Sequence, residues 1–192
     1  MNIGVLSMQG DVREHMRMLS HVGATALEVK RTAQLDGLGG LIIPGGESTT
    51  IGKLMVEYGF VDAVRQRHAD GMAVWGTCAG EIVMARRLVP EAHQPLLELM
   101  DITVRRNSFG RQVDSFEEDL EIQVLGDGPF HAVFIRAPWI ESVDSDEVEV
   151  LATVGEHAVM ARQGRLLATS FHPEMTGDTR VHEYFLREVC GP

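Results

Sequence analysis

The sequence predicts an α/β protein: a three-layer, doubly wound, mostly parallel central sheet with helices on both faces and some antiparallel strands in the second half. Short apolar runs alternate with helical patterns through the first half. Two of those runs, residues 40–44 and 72–75, are apolar without interruption, as strands covered on both faces must be. Beyond about residue 100 a series of short strand-like segments replaces the alternation. At 192 residues the chain is long enough for one well-buried core and short for two, so a single domain over 1–192 is expected.

Taken in order, residues 3–7 read as a strand, and Gly10-Asp11 then opens a helix with Asp11 and Glu14 at capping-box spacing. Val12, Met16, Leu19 and Val22 form its buried stripe, and Gly23 ends it. Residues 26–30 are the next strand, followed by 40–44 and 72–75 with helical stretches flanking both. Strands are then expected over 101–104, 121–125, 132–135, 148–151, 157–161 and 166–170. A final amphipathic helix carries Val181, Tyr184, Phe185 and Val189 on one face, near Cys190. Strands separated by helices imply crossover units, so a ligand is expected beyond the C-terminal ends of the parallel strands.

Composition narrows the function classes. With 44% hydrophobic and 23% charged residues the chain is ordinary globular material. No apolar run reaches the roughly 20 residues of a membrane helix. The start of the chain lacks the basic region of a secretory signal, and a cytoplasmic protein with no membrane partner is expected. The net charge of -11 repels phosphate backbones, and Arg105, Arg106 and Arg111 are the one basic cluster, so nucleic acid is not an expected partner. Two cysteines, Cys78 and Cys190, make no disulfide framework.

Gly76-Thr77-Cys78-Ala79-Gly80 follows the buried strand 72–75 and precedes a helical pattern over 82–85, which is the frame of a nucleophile elbow. The sharp bend demands small neighbours, and the helix N-terminus favours a thiolate. An isolated cysteine is more often a small buried hydrophobe; the glycine spacing, the strand and the helix together favour Cys78 as a nucleophile. Cys190 has no such frame and reads as structural. His172-Pro173-Glu174 follows the strand 166–170, so an imidazole emerges at a strand end with a carboxylate two residues on, in reach of its second nitrogen. The pattern is a Cys-His-Glu relay. The other seven histidines receive no role, and no metal is expected: the cysteines are far apart and no His-x-x-x-His pair exists. Pro44-Gly45-Gly46-Glu47-Ser48-Thr49-Thr50 can offer an oxyanion a backbone N–H of Gly45 or Gly46, beside that of Ala79. It lacks the Lys of a phosphate loop.

The elbow, the Pro-Gly-Gly-Glu-Ser-Thr loop and the His-Pro-Glu triplet resemble a class I, triad-type glutamine amidotransferase. More narrowly, Met8 to His15, the block Arg-Asn-Ser-Phe-Gly-Arg-Gln-Val-Asp-Ser-Phe over 106–116 and Phe134-Ile135-Arg136-Ala137-Pro138 are similar to signatures of the glutaminase subunit family of pyridoxal 5'-phosphate synthase. The resemblance implies Cys78 as nucleophile with His172 and Glu174 completing the triad, and Gly46, Glu47, Ser48, Arg106, Ile135 and Arg136 binding L-glutamine. Either arginine can grip the α-carboxylate through paired hydrogen bonds. It also implies no cofactor, a hetero-oligomeric complex with a synthase subunit that consumes the ammonia, and weak activity without that subunit. Rival readings are another elbow-cysteine amidotransferase or hydrolase of the same fold, and a partner-binding module without turnover. Glu81 departs from the pattern: its charge either raises the thiol pKa or lies in the first helical turn facing solvent or the partner.

Overall fold

The computed structural model describes residues 1–106 and 115–191. Its first half alternates β1 (Asn2–Leu6), α1 (Val12–His21), β2 (Thr25–Val29), β3 (Gly40–Ile43), α2 (Ser48–Glu57), α3 (Phe60–Ala69), β4 (Ala73–Thr77) and α4 (Ala79–Met84). Strands then dominate: β5 (Ala85–Val89), β6 (Met100–Arg105), β7 (Ser115–Leu120), β8 (Phe130–Ile135), β9 (Trp139–Val143), β10 (Glu149–Val154), β11 (His157–Gln163) and β12 (Leu166–Thr169). Helix α5 (Arg180–Tyr184) continues through a wider π-type turn over Phe185–Val189.

The main sheet runs β2-β1-β3-β4-β12-β11-β9-β6-β5, with β10 paired to β11, while β7 and β8 form a hairpin of their own. Pairing is parallel from β2 through β12, then antiparallel across β11, β9 and β6, and parallel again between β6 and β5. The α/β class with its antiparallel second half is therefore the one the patterning predicts.

Alternation along the central strands sorts side chains into two cores. Leu41, Ile43 and Val74 face one side, where Ile51 and Met55 of α2, Phe60 and Val64 of α3, and Ile82 and Val83 of α4 cover them. Ile3, Val5, Ile42 and Trp75 face the other, covered by Leu19 of α1 and by Val181, Phe185 and Val189 of the last helix. Burial on both faces is why these strands read as unbroken apolar runs. Among the described residues, no helix is long and apolar enough to cross a membrane.

Several local expectations change. Residues 121–125 are not a strand: Gln123–Leu125 make one 3-10 turn, and the strand is the preceding, mostly exposed β7. The buried positions of α1 are His15, Met18 and Leu19, with Val12 and Met16 only at the core's margin. The capping box at Asp11 does not form, because the Asp11 carboxylate turns to His172 instead. Helix α4 stops at Met84, and Ala85 begins the unexpected strand β5. β9 is likewise unexpected; it holds Trp139, whose indole donates to Glu141 (2.7 Å) and stacks on His157.

Candidate active site

β4 ends at Thr77 and α4 begins at Ala79, so Cys78 alone makes the bend, at φ 48° and ψ -102°. A non-glycine residue there stores strain of about 1–3 kcal/mol. The surrounding glycines are a steric requirement: a Cβ on Gly76 would lie 2.4 Å from the Gly80 backbone, and one on Gly80 2.0 Å from the Ile43 carbonyl oxygen. The Cys78 side chain is almost covered, with Sγ 3.9 Å from the Ile135 carbonyl oxygen.

The sheet order brings His172 to this bend. β12 lies parallel beside β4, Thr169 opposite Thr77, and the Cys78 N–H donates to the Thr169 carbonyl at 2.7 Å. Three residues on, the His172 N–H donates to Val133 on β8 at 2.8 Å, which anchors the backbone after it leaves the sheet. Pro173–Met175 then turns back, bringing Glu174 Oε1 within 2.8 Å of His172 Nδ1, both side chains buried. Asp11 Oδ2 is 3.5 Å from the same nitrogen. A carboxylate only accepts, so Nδ1 carries the proton and Nε2 is the nitrogen free for chemistry. Nε2 has no hydrogen-bond partner among the described residues. Burial pulls the His172 pKa down, but Asp11, Cys78 and Glu174 outweigh it and push the imidazole well above its ordinary value.

Cys78 and His172 line one cavity of about 440 Å³ together with Gly46, Glu47, Ser48, Ala79, Arg106, Ile135 and Arg136. The sequence-predicted residues thus converge, with two set back: Glu174 lies behind His172, and Gly45 packs beneath it, where a Cβ would meet His172 Cε1 at 2.4 Å. Gln9, Asp11, Ile82 and Met175 also line the cavity, and sequence reasoning gives none of them a place there. Gln9 Oε1 accepts the Glu47 N–H at 2.7 Å, so the block around Met8-Gln9-Gly10 shapes the glycine loop.

Glu47 caps α2, accepting the N–H groups of Thr49 (3.1 Å) and Thr50 (2.8 Å) and the Thr50 hydroxyl (2.7 Å). Partial burial works against its charge, but these donors prevail and hold it at about 2, so it is an anion at neutral pH. Arg106 Nη2 lies 3.7 Å from Glu47, and its Nη1 donates to Gln94 Oε1 at 3.1 Å. The same Gln94 oxygen accepts the hydroxyls of Ser48 (3.3 Å) and Thr49 (3.2 Å). Residues 107–114, the bulk of the long signature block, with Arg111, lie outside the described residues.

Glu81 faces neither solvent nor a partner. It is fully buried, the Ser170 hydroxyl donates to it at 2.9 Å, and burial raises its carboxyl to about 8 against the partial offset of that bond. At pH 7 it is largely neutral and places little charge near the thiol. Burial also pushes Cys190 up to about 12, which suits a packing role. Asp11, His172 and Glu174 bring donor atoms within 4.8 Å of one another. With the His172 Nδ1–H pointing toward Glu174, a metal ion at this group would have to displace that proton.

Fold and site define the class: a doubly wound α/β protein with a thiol at the apex of a nucleophile elbow, sharing a cavity with an imidazole from the segment that follows the neighbouring strand β12. Residues 5–191 match the model of the SNO glutamine amidotransferase family. The chain is 57% identical over 189 residues to the pyridoxal 5'-phosphate synthase subunit PdxT of Moorella thermoacetica, covering 98% of this chain and 100% of that protein. A crystal structure of a glutamine amidotransferase superposes with a TM-score of 0.93 at 52% identity, covering 99% of both chains. The PurLQS structure from Thermotoga maritima, at 16% identity and a TM-score of 0.66 (96% of this chain, 96% of that one), shares the fold. The chain belongs to the SNO glutamine amidotransferase family.

Proposed function

We propose that the chain, acting as one domain, hydrolyses L-glutamine to L-glutamate and ammonia and delivers the ammonia to the synthase subunit of pyridoxal 5'-phosphate synthase. The observation that carries this reading is the shared cavity: the strained Cys78, His172 backed by Glu174, and two arginines all border it. The relatives' name, a subunit of that synthase, supports the partner.

In this reading the Cys78 thiolate attacks the side-chain amide carbon, and the N–H groups of Ala79 and Gly46 (or Gly45) receive the developing oxyanion. His172, protonated and held in orientation by Glu174, gives its Nε2 proton to the departing nitrogen; ammonia leaves and a glutamyl thioester stays on Cys78. The neutral imidazole then takes a proton from water, which attacks the thioester, releases glutamate and restores the thiolate–imidazolium pair. Arg106 or Arg136 pairs with the α-carboxylate of glutamine, and anionic Glu47 with its α-ammonium. Ser48 and Ile135 complete the wall of the pocket.

Glutamate release should be measured for the wild type and Cys78→Ala, each alone and with the cognate synthase. Turnover that needs the synthase and vanishes in Cys78→Ala, with assembly retained, is expected. Turnover by Cys78→Ala would overturn the reading.

A further inference from the structure

Beyond Glu174, on the side away from His172, lies a buried polar chain that the reaction above does not use. His15 of α1 and His182 of α5 are both fully buried, as is Thr77 next to the elbow cysteine. His15 Nε2 is 3.4 Å from Glu174 Oε2 and 3.3 Å from Thr77 Oγ1. His15 Nδ1 is 3.0 Å from His182 Nε2. Trp75 packs edge-on against both rings.

Hydrogen-bond accounting selects one arrangement of protons. Burial holds both imidazoles well below their ordinary pKa, so each is neutral and carries one N–H. If His15 were protonated on Nδ1, its bare Nε2 would face the Glu174 carboxylate, lone pair against lone pair. His182 would then have to carry its proton on Nδ1, which has no partner among the described residues. A buried donor left unmade costs about 1–3 kcal/mol. In the opposite arrangement His182 Nε2–H donates to His15 Nδ1 and leaves its own Nδ1 a bare acceptor instead of a stranded donor, while His15 Nε2–H points to Thr77 Oγ1 with Glu174 Oε2 3.4 Å away as a charge contact, not a hydrogen bond.

We propose that His15 is a positioning residue for Glu174: its Nε2–H, set by the N–H that His182 donates to its other nitrogen, holds Glu174 Oε2 so that Oε1 stays on His172 Nδ1. Three elements distant in sequence, α1, α5 and the end of β4, thereby fix the rotation of one carboxylate. The inference rests on the glutaminase reading for its effect on turnover, while the proton arrangement stands apart from it.

Two measurements test it. In ¹⁵N-labelled wild-type protein, two-bond imidazole ¹H–¹⁵N spectra should show His15 neutral, protonated on Nε2 and bare on Nδ1, between pH 6 and 8. A His15 protonated on Nδ1, or on both nitrogens, overturns the proposal whether or not any variant folds. In the complex with the synthase, His15→Leu should lower kcat for glutamine hydrolysis by about tenfold or more with KM within about twofold. His15→Gln, which returns an N–H donor, should recover most of that loss. A properly folded His15→Leu with wild-type kcat, or a His15→Gln as impaired as His15→Leu, overturns it. A wild-type complex that released no glutamate would reject the glutaminase reading instead and leave the spectra to decide on His15.

Discussion

His172 Nδ1 and Glu174 Oε1 meet at 2.8 Å with one proline between the two residues and both side chains out of solvent. A carboxylate in that place fixes the imidazole proton on Nδ1. Glu174→Gln can present an amide N–H instead, which turns Nδ1 into an acceptor and moves the proton to the cavity side. We expect kcat for glutamine hydrolysis in the synthase complex to fall by roughly 10²–10⁴ with KM little changed. Steady-state glutamate release decides, and near-normal turnover would show that Glu174 does not set the tautomer.

Two arginines border the cavity, and kinetics can separate them. If Arg106 grips the α-carboxylate, Arg106→Ala raises KM for glutamine roughly 10–100-fold, equivalent to about 1.4–2.7 kcal/mol, and leaves kcat within a few-fold. Arg136→Ala then shows the smaller change. The reverse pattern assigns the carboxylate to Arg136, and no KM change in either variant removes both from substrate binding.

The buried Glu81 carboxyl makes stability depend on pH in a direction opposite to that of a salt-bridged acid. Its folded-state pKa is raised from 4.5 to about 8, so the native protein holds a proton that the unfolded chain has lost across that window. Stability from this group is therefore greatest at acid pH and declines as pH rises through the window. Glu81→Gln keeps an acceptor for Ser170 and cannot ionise. Melting curves at about pH 5, 7 and 8.5 should show wild type losing Tm relative to Glu81→Gln as pH increases; parallel profiles would mean that Glu81 ionises normally.

At Gly80 a methyl group would penetrate the Ile43 carbonyl, a backbone atom that cannot swing aside. Gly80→Ala is expected to cost at least about 1–3 kcal/mol, read as a lower urea midpoint with unchanged slope. An unaltered midpoint would mean that the bend relaxes more easily than its geometry indicates.

The parts of the site legible from sequence are those under purely local constraint. The glycine frame of Cys78 follows from one bend, and the unbroken apolar runs of β3 and β4 follow from burial on both faces. What stays hidden depends on partners far along the chain. His15 has the residue type of a polar helix position, and partners far along the chain, Thr77, Glu174 and, 167 positions away, His182, make its burial tolerable. β7 is rich in acids and mostly exposed, and β5 carries exposed Arg86 and Arg87 between buried neighbours, so neither strand has a strong apolar signal. Asp11 has the spacing of a helix cap, yet the nearby His172 imidazole is the partner it takes.

β12 slots between β4 and β11, after every other strand of the sheet has appeared in the sequence. A polypeptide still being translated therefore carries Cys78 long before His172, the imidazole proposed to activate it, has been made. Under the proposed mechanism reactivity is thereby withheld from incomplete chains: a ribosomal product released before β12 carries the cysteine without the imidazole that glutamine hydrolysis would need.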